Sequence, residues 1–160
     1  MIRNIPNKYT QQMLIDCINS SHANTYDFLY LRIDFKNKCN VGYAFINFID
    51  PKSVILFAKE KAGKKWEHFN SDKRCALSYA NIQGKDALIK KFKNSQVMFE
   101  DAAYRPKIFY SDGPNKGKEQ AFPVPSDLKN LEENTYVLKE SRHLNNSNHH
   151  RRRQHHHRRS

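Results

Sequence analysis

The chain has 160 residues and carries 28 Lys and Arg against 16 Asp and Glu, a formal net charge of +12. This charge favours a polyanionic partner, either nucleic acid or an acidic membrane surface. Its longest apolar stretches fall far short of the ~20 residues that cross a bilayer. Arg3 and Pro6 follow Met1 too closely for a secretory signal. We therefore expect a nuclear or cytoplasmic protein that does not span a membrane, built as one domain with extensions.

The charge is divided unevenly along the chain. Residues 1–123 hold 20 basic and 12 acidic side chains, and residues 124–160 hold 8 and 4. From Arg142 onward the chain is rich in Arg and His and has no acidic residue. Such a segment cannot bury enough apolar surface to offset its conformational entropy, so residues 124–160 are predicted to be a disordered polar tail. Without a folded frame its histidines predict phosphate attraction or nuclear targeting rather than a metal site.

The first half of the chain alternates between strand and helix patterns. Residues 1–5 predict a short strand, and Thr10 is a suitable N-cap for a helix over residues 11–19. Residues 26–35 and 41–49 predict two longer strands joined by a polar basic loop. Alternation in the second predicted strand puts Leu29, Leu31, Ile33 and Phe35 on one face and Phe28, Tyr30, Arg32 and Asp34 on the other.

The elements predicted after residue 49 complete a βαββαβ order. Asp50 and Pro51 open a helix as N-cap and first helical residue, and Gly63 stops it. Residues 73–80 predict a fourth strand, and residues 85–92 a basic helix with an apolar side. The order strand–helix–strand–strand–helix–strand predicts an α+β, ferredoxin-like βαββαβ sandwich, a four-stranded antiparallel sheet with two helices on one face. Residues 1–94 would form this domain with its extra C-terminal helix.

The third predicted strand carries the most specific indication of function in the sequence. Residues 41–48 read VGYAFINF, and they fit the eight-residue ribonucleoprotein motif except at Val41, where that motif has Lys or Arg. In an extended strand Tyr43, Phe45 and Asn47 point away from the helices. Two rings on an exposed sheet face can stack on unpaired bases, so the pattern predicts binding of single-stranded RNA.

Other polar and aromatic side chains are expected to join that face. Arg3, Tyr30, Arg32 and Ser78 follow from strand alternation, whereas Asn81 and Gln83 leave the fourth strand where amides could read base edges. Surface ion pairing remains open for Arg32, and plain turn chemistry for Ser78 and Asn81. The full predicted RNA-binding set is Met1, Arg3, Tyr30, Arg32, Lys36, Lys38, Tyr43, Phe45, Asn47, Ser78, Asn81 and Gln83.

Several segments together resemble an RNA recognition motif, in particular the C-terminal one of the Mei2-like proteins. The resemblance runs through residues 3–10, 28–35, 40–48, 78–85 and 104–109, so residues 95–123 are expected to be a family-like extension. It implies RNA binding by proteins that promote meiosis in fission yeast and regulate development in plants. Met1 stands where that motif's first strand usually has an aromatic ring. Val41 has no charge to offer a phosphate, so Arg32, Lys36 or Lys38 would take over that role.

Two other classes of function compete with RNA binding. A protein-interaction module could present Tyr30, Tyr43 and Phe45 to a peptide on the same fold. An enzyme is disfavoured, because the chain has only five glycines and lacks a phosphate-cradling loop or a nucleophile-elbow motif. We therefore expect no catalytic residue, cofactor, metal or small-molecule substrate. The helix at residues 85–92 could either lie near RNA phosphates or cover the sheet, and the sequence leaves this open.

Overall fold

The fold is built from nine regular elements in a computed structural model that describes residues 1–123. The predicted disorder of residues 124–160 lies outside the described residues. Short 3₁₀ turns at Gln96–Phe99 and Ala102–Tyr104 connect the third helix to the last two strands. The elements are β1 (Ile2–Arg3), α1 (Gln11–His22), β2 (Tyr26–Asp34), β3 (Cys39–Phe48), α2 (Pro51–Lys61), β4 (Ala76–Leu77), α3 (Lys85–Lys93), β5 (Lys107–Phe109) and β6 (Glu119–Gln120).

One antiparallel sheet contains all six described strands, in the order β4-β1-β3-β2-β5-β6. The first four strands have the ferredoxin-like order, so the predicted fold class is confirmed. β5 adds to the free edge of β2 by pairing Ile108 with Phe28, and β6 then pairs with β5. The segment after α3 is thus part of the sheet. None of the described helices is long and apolar enough to cross a bilayer.

Both predicted helix starts are confirmed. The Thr10 hydroxyl oxygen accepts a hydrogen bond from the Met13 amide at 3.1 Å, and an Asp50 carboxylate oxygen accepts one from the Ser53 amide at 2.8 Å. Each bond satisfies an amide that the first helical turn leaves without a partner. The fourth strand is much shorter than the predicted span 73–80, because β1 offers only two residues for pairing.

The main core lies between the sheet and the two helices α1 and α2. Ile2, Ile5, Leu14 and Leu29 are fully buried there. Trp66 packs at the edge of this core, with its ring centroid 5.4 Å from that of Tyr9. Trp66 thus anchors the segment between α2 and β4 to the core.

The strict alternation predicted for β2 fails at two irregularities. The register with β3 shifts between Tyr26 and Phe28 and again between Leu31 and Ile33. Each shift moves the following side chains to the other face of the sheet. The predicted orientation of Phe35 is therefore wrong: it packs with the cluster on the far face, against Tyr104, at a ring-centroid distance of 6.4 Å.

Candidate nucleic-acid interface

The centre of the sheet face that lacks α1 and α2 is covered by α3. The Phe92 ring of this helix lies 5.0 Å from the Tyr30 ring and 5.4 Å from the Phe45 ring, measured between centroids. Tyr30 is consequently 4% exposed and Phe45 8% exposed. Of the two placements that the sequence left open for this helix, the structure has the one that covers the sheet. The apolar side of α3, Leu88 and Phe92, is buried against these rings, which removes both surfaces from water.

A polar clamp holds the first residue of α3. The Lys85 ammonium donates to the Phe109 carbonyl oxygen at 2.8 Å, to the Gln120 side-chain oxygen at 3.0 Å and to the Ser111 hydroxyl at 3.2 Å. All three acceptors belong to the segment that carries β5 and β6. The clamp therefore couples the helix to the two added strands.

A strip of accessible side chains remains beside α3, and we call it the open strip: Arg3, Arg32, Tyr43, Ser78 and Tyr79. β1 and β3 place Arg3 directly opposite Tyr43. The Arg32 guanidinium donates to the Tyr43 hydroxyl at 2.5 Å, and its carbon lies 5.8 Å from the ring centroid. On the other side, Arg3 donates to the Ser78 hydroxyl at 2.8 Å. The strip thus combines a half-exposed ring with two exposed guanidinium groups.

Tyr79 adjoins the strip through its chain neighbour Ser78, although sequence patterns did not predict it as a contact residue. It is 95% exposed and directly follows Ser78. A continuous strand over residues 73–80 would have turned Tyr79 away from Ser78, toward the helices. Because β4 ends at Leu77, that alternation does not reach residue 79. Its signal in the sequence was only its place beside Ser78 in the segment that resembles the family.

Three predicted contact residues are engaged elsewhere. The Asn47 amide donates to an Asp27 carboxylate oxygen at 2.8 Å, and Ser111 donates to the other oxygen at 2.8 Å. The Gln83 amide donates to the Ala80 carbonyl at 2.7 Å, which closes a local turn. Lys38 places its ammonium 5.5 Å and 5.4 Å from the Phe35 and Tyr104 ring centroids.

The remaining predicted residues are Met1, Lys36 and Asn81. Met1 packs against the cluster under α3 and is partly buried. Lys36 and Asn81 are exposed. The Lys91 ammonium on α3 lies 5.0 Å from the Phe45 ring centroid, so it brings positive charge to the border between the helix and the strip.

The buried ring at the centre stays uncharged at ordinary pH. Burial raises the pKa of the Tyr30 hydroxyl, and the positive charge of Arg32 opposes this in part. The positive charges of Arg3, Arg32 and Lys91 therefore face no tyrosinate there. The arrangement offers stacking, hydrogen bonding and positive charge, the three interactions that unpaired nucleotides use.

Comparison with known proteins agrees with this geometry. The family model described as RNA recognition motif 2 matches residues 1–93. The chain is 64% identical over 129 residues to Meiosis protein mei2 of Schizosaccharomyces pombe, covering 81% of this chain and 17% of that protein. It is 57% identical over 129 residues to Protein MEI2-like 4 of Oryza sativa, covering 81% of this chain and 13% of that protein.

A relative from Arabidopsis thaliana, Protein MEI2-like 1, is 57% identical over 129 residues, covering 81% of this chain and 14% of that protein. The chain thus spans less than a fifth of the length of each of these three relatives. The match over residues 1–93 takes in every element from β1 to α3. The chain belongs to the RNA recognition motif 2 family, and its domain resembles those of the Mei2-like proteins.

Proposed function

We propose that residues 1–123 bind single-stranded RNA through the open strip. The observation that carries this proposal is the accessible Tyr43 ring flanked by the Arg3 and Arg32 guanidinium groups on neighbouring strands. A base stacks on the ring, and the guanidinium groups contact phosphates or base edges. Each stacked base contributes roughly 1–3 kcal/mol.

The proposal divides the predicted contact set by accessibility. Arg3, Arg32, Tyr43 and Ser78 act directly, with Tyr79 as a second stacking ring. Lys36, Asn81 and Met1 contribute at the margins of the strip. Tyr30 and Phe45 lie under α3 and support the strip from within the domain. Lys38, Asn47 and Gln83 keep their intramolecular partners.

The names of the relatives support a proposal for the biological setting. One is named for meiosis, and the others carry the Mei2-like name. We infer that this chain acts through RNA in meiotic or developmental regulation, in the nucleus or the cytoplasm. The net charge of +8 on residues 1–123, from 20 basic and 12 acidic side chains, supports encounter with a polyanion.

Selection from a random RNA pool, followed by affinity measurement on the enriched sequence, tests the function. Tyr43→Ala is expected to weaken binding about tenfold or more, because it removes a stacking ring. Tyr110→Ala is the matched control, since Tyr110 is a 38% exposed ring outside the strip. Affinity should also fall with salt, at a logarithmic slope near −0.7 for each phosphate neutralised.

The rival function would give a different result. If no RNA is enriched, or if Tyr43→Ala and Tyr110→Ala bind alike, the RNA proposal is overturned. A protein partner captured by the same face, with little dependence on salt, would then favour the interaction-module hypothesis. Unfolding curves of both variants establish that each remains folded.

A further inference from the structure

The connection between α2 and β4 folds into a loop that begins and ends beside the open strip. Lys65 and Arg74 form an isolated antiparallel bridge. The bridge encloses residues 66–73, which we call the aromatic loop. Asn4, the residue after Arg3 of the open strip, donates its side-chain amide to the Arg74 carbonyl oxygen at 3.1 Å. The base of the aromatic loop is thus bonded to the strand that carries the strip.

The aromatic loop places three rings around a buried tyrosine. Tyr9, in the connection from β1 to α1, is 2% exposed. The ring centroids of Trp66, His68 and Phe69 lie 5.4, 5.9 and 5.7 Å from that of Tyr9. Trp66 is partly buried at the edge of the core, whereas Phe69 is 48% exposed. The contact of Phe69 with Tyr9 is edge to face, so it supports the Phe69 ring and leaves about half of the residue accessible.

The backbone at Phe69 is strained. Its φ is 67°, and that of the next residue, Asn70, is 49°. Left-handed backbone is unfavourable for a residue with a Cβ, and asparagine adopts it more readily than a bulky residue such as phenylalanine. Packing alone does not account for a large ring here, because so much of Phe69 is accessible. Residues held in such conformations cluster at binding sites, which makes this ring a candidate contact.

Positive charge surrounds the exposed ring. Residues 62–75 together with Lys8 carry five basic side chains against two acidic ones, Glu67 and Asp72. The Lys65 ammonium lies 3.6 Å from an Asp72 carboxylate oxygen. Lys73 donates to the Asn7 side-chain oxygen at 3.3 Å, which ties the aromatic loop to the connection that holds Tyr9. The exposed basic side chains are Lys8, Lys64, Lys65, Lys73 and Arg74.

We propose that Phe69 stacks on a nucleotide of the RNA that leaves the open strip past Arg3, and that Lys8 and Lys73 contact the phosphates beside it. This inference rests on the proposed function and extends it to a second surface. An accessible ring among basic side chains is the combination that holds unpaired nucleotides. The excess of positive charge favours a polyanion over a protein partner at this ring. The aromatic loop thereby lengthens the bound RNA beyond the nucleotide on Tyr43.

Two substitutions at residue 69 separate stacking from the structure of the loop. Phe69→Asn removes the ring and keeps a residue that accepts left-handed backbone, so it should weaken binding of the RNA selected from the random pool about fivefold or more. Phe69→Tyr keeps an aromatic ring and should bind like wild type. Phe99→Asn is the matched control, since Phe99 is a 56% exposed ring in another segment. Denaturant unfolding of each variant establishes that it remains folded.

Shortening the selected RNA one nucleotide at a time from each end gives a readout that a purely structural role of Phe69 would not move. Wild type should lose about fivefold or more in affinity when the nucleotide on Phe69 is removed. Phe69→Asn should lose much less at that same step, because the ring is already absent. Equal losses in the two proteins at every step overturn the stacking of a nucleotide on Phe69.

The phosphate contact has its own measurement. Lys73→Gln should reduce the logarithmic salt slope of RNA binding by about 0.7, the value for one phosphate on a single strand. Lys116→Gln, at an exposed lysine between β5 and β6, should leave the slope unchanged. Equal slopes for Lys73→Gln and wild type overturn the phosphate contact.

The outcomes also distinguish this inference from the function on which it rests. If no RNA is enriched, both proposals fail together. If Tyr43→Ala weakens binding while Phe69→Asn binds as well as Phe99→Asn, the open strip binds RNA and the contact at Phe69 is overturned.

Discussion

The side chain of Asn40, at the start of β3, donates to the backbone carbonyl of Pro6 at 2.8 Å. The same amide reaches the Tyr9 carbonyl at 3.0 Å, and its oxygen accepts from the Gly42 amide at 2.8 Å. Asn40 is only 5% exposed. One buried side chain thus fixes the connection from β1 to α1 and sets where β3 begins.

Asn40→Ala is therefore expected to destabilise the domain by about 2 kcal/mol or more, because buried carbonyl groups would lose their donor. Denaturant unfolding monitored by circular dichroism measures this. Asn37→Ala is the control, since Asn37 is exposed and its oxygen accepts only a local bond from Cys39. Equal losses of unfolding free energy in Asn40→Ala and Asn37→Ala would show that the buried hydrogen bonds of Asn40 do not stabilise the domain.

Phe45→Ala should destabilise the protein by about 3–5 kcal/mol, the range for removal of a buried aromatic ring. The expectation follows from its 8% exposure and its contacts with Tyr30 and Phe92. Phe99→Ala, at an exposed ring, should change the free energy of unfolding by less than about 1 kcal/mol. Comparable denaturation midpoints for Phe45→Ala and wild type would mean that α3 does not bury this ring in solution.

Stability should fall in alkaline solution. Burial raises the pKa of Tyr26 to about 12 from an ordinary value of 10.0, although its bond to Asn19 opposes the shift. Between these values the unfolded chain loses the proton and the folded chain keeps it, so stability is full below pH 10.0 and declines as the pH rises toward 12.

Tyr26→Phe should flatten that decline, which unfolding curves recorded at several alkaline pH values would show. Tyr79→Phe is the matched control, because Tyr79 is 95% exposed. Cys75 adds to the alkaline loss of stability from a lower pH than Tyr26 does, because burial raises the pKa of its thiol from 9.0 to about 11. An alkaline decline that is as steep in Tyr26→Phe as in wild type would contradict the assignment.

Substitution of Gly117 probes the contact between the loop that connects β5 to β6 and the turn that contains Asn24. Its φ is +83°, and a Cβ built there would lie 1.8 Å from the Asn24 side-chain oxygen. Gly113 has a similar φ of +72°, but a Cβ built at Gly113 would have no other atom within 4 Å. Gly117→Ala should therefore destabilise more than Gly113→Ala, which carries only the backbone cost of about 1 kcal/mol.

The two alanine variants are compared by thermal unfolding. Gly117→Ala combined with Asn24→Gly should recover the stability lost to the clash, because the side chain that the new Cβ would meet is then absent and glycine accepts the φ of 61° at residue 24. Equal melting temperatures for the two single variants would mean that the loop with Gly117 lies away from the turn with Asn24.

The parts of the fold that depend on neighbouring residues in the chain, such as helix caps and strand alternation, could be predicted from the sequence. Thr10 and Asp50 indicated their helices through capping, and residues 41–48 indicated the central strand through alternation. The position of Phe35 could not be predicted, because a register shift depends on how two strands pair rather than on either strand alone. The pairing of Ile108 with Phe28 likewise joins residues far apart in the chain.

In the candidate site, too, features set within one strand were predictable, and features set by contacts between distant segments were not. The accessible placement of Arg3 and Arg32 agrees with strand alternation. The burial of Phe45 could not be predicted from its own strand, because the residue that covers it is Phe92. The apolar side of α3 was visible in the sequence, but the sequence left open whether this helix lies near RNA phosphates or covers the sheet. Only the tertiary structure distinguishes them.

The pairing of β5 with β2 has a consequence for how the domain can be divided. A fragment that ends at residue 93, where the family match ends, would leave the edge of β2 without its partner strand. β2 is nine residues long and mostly buried, and its bare amide and carbonyl groups would then invite pairing with a second chain. We therefore expect the hairpin of β5 and β6 to protect β2 against such pairing, and the compact unit extends to Pro123.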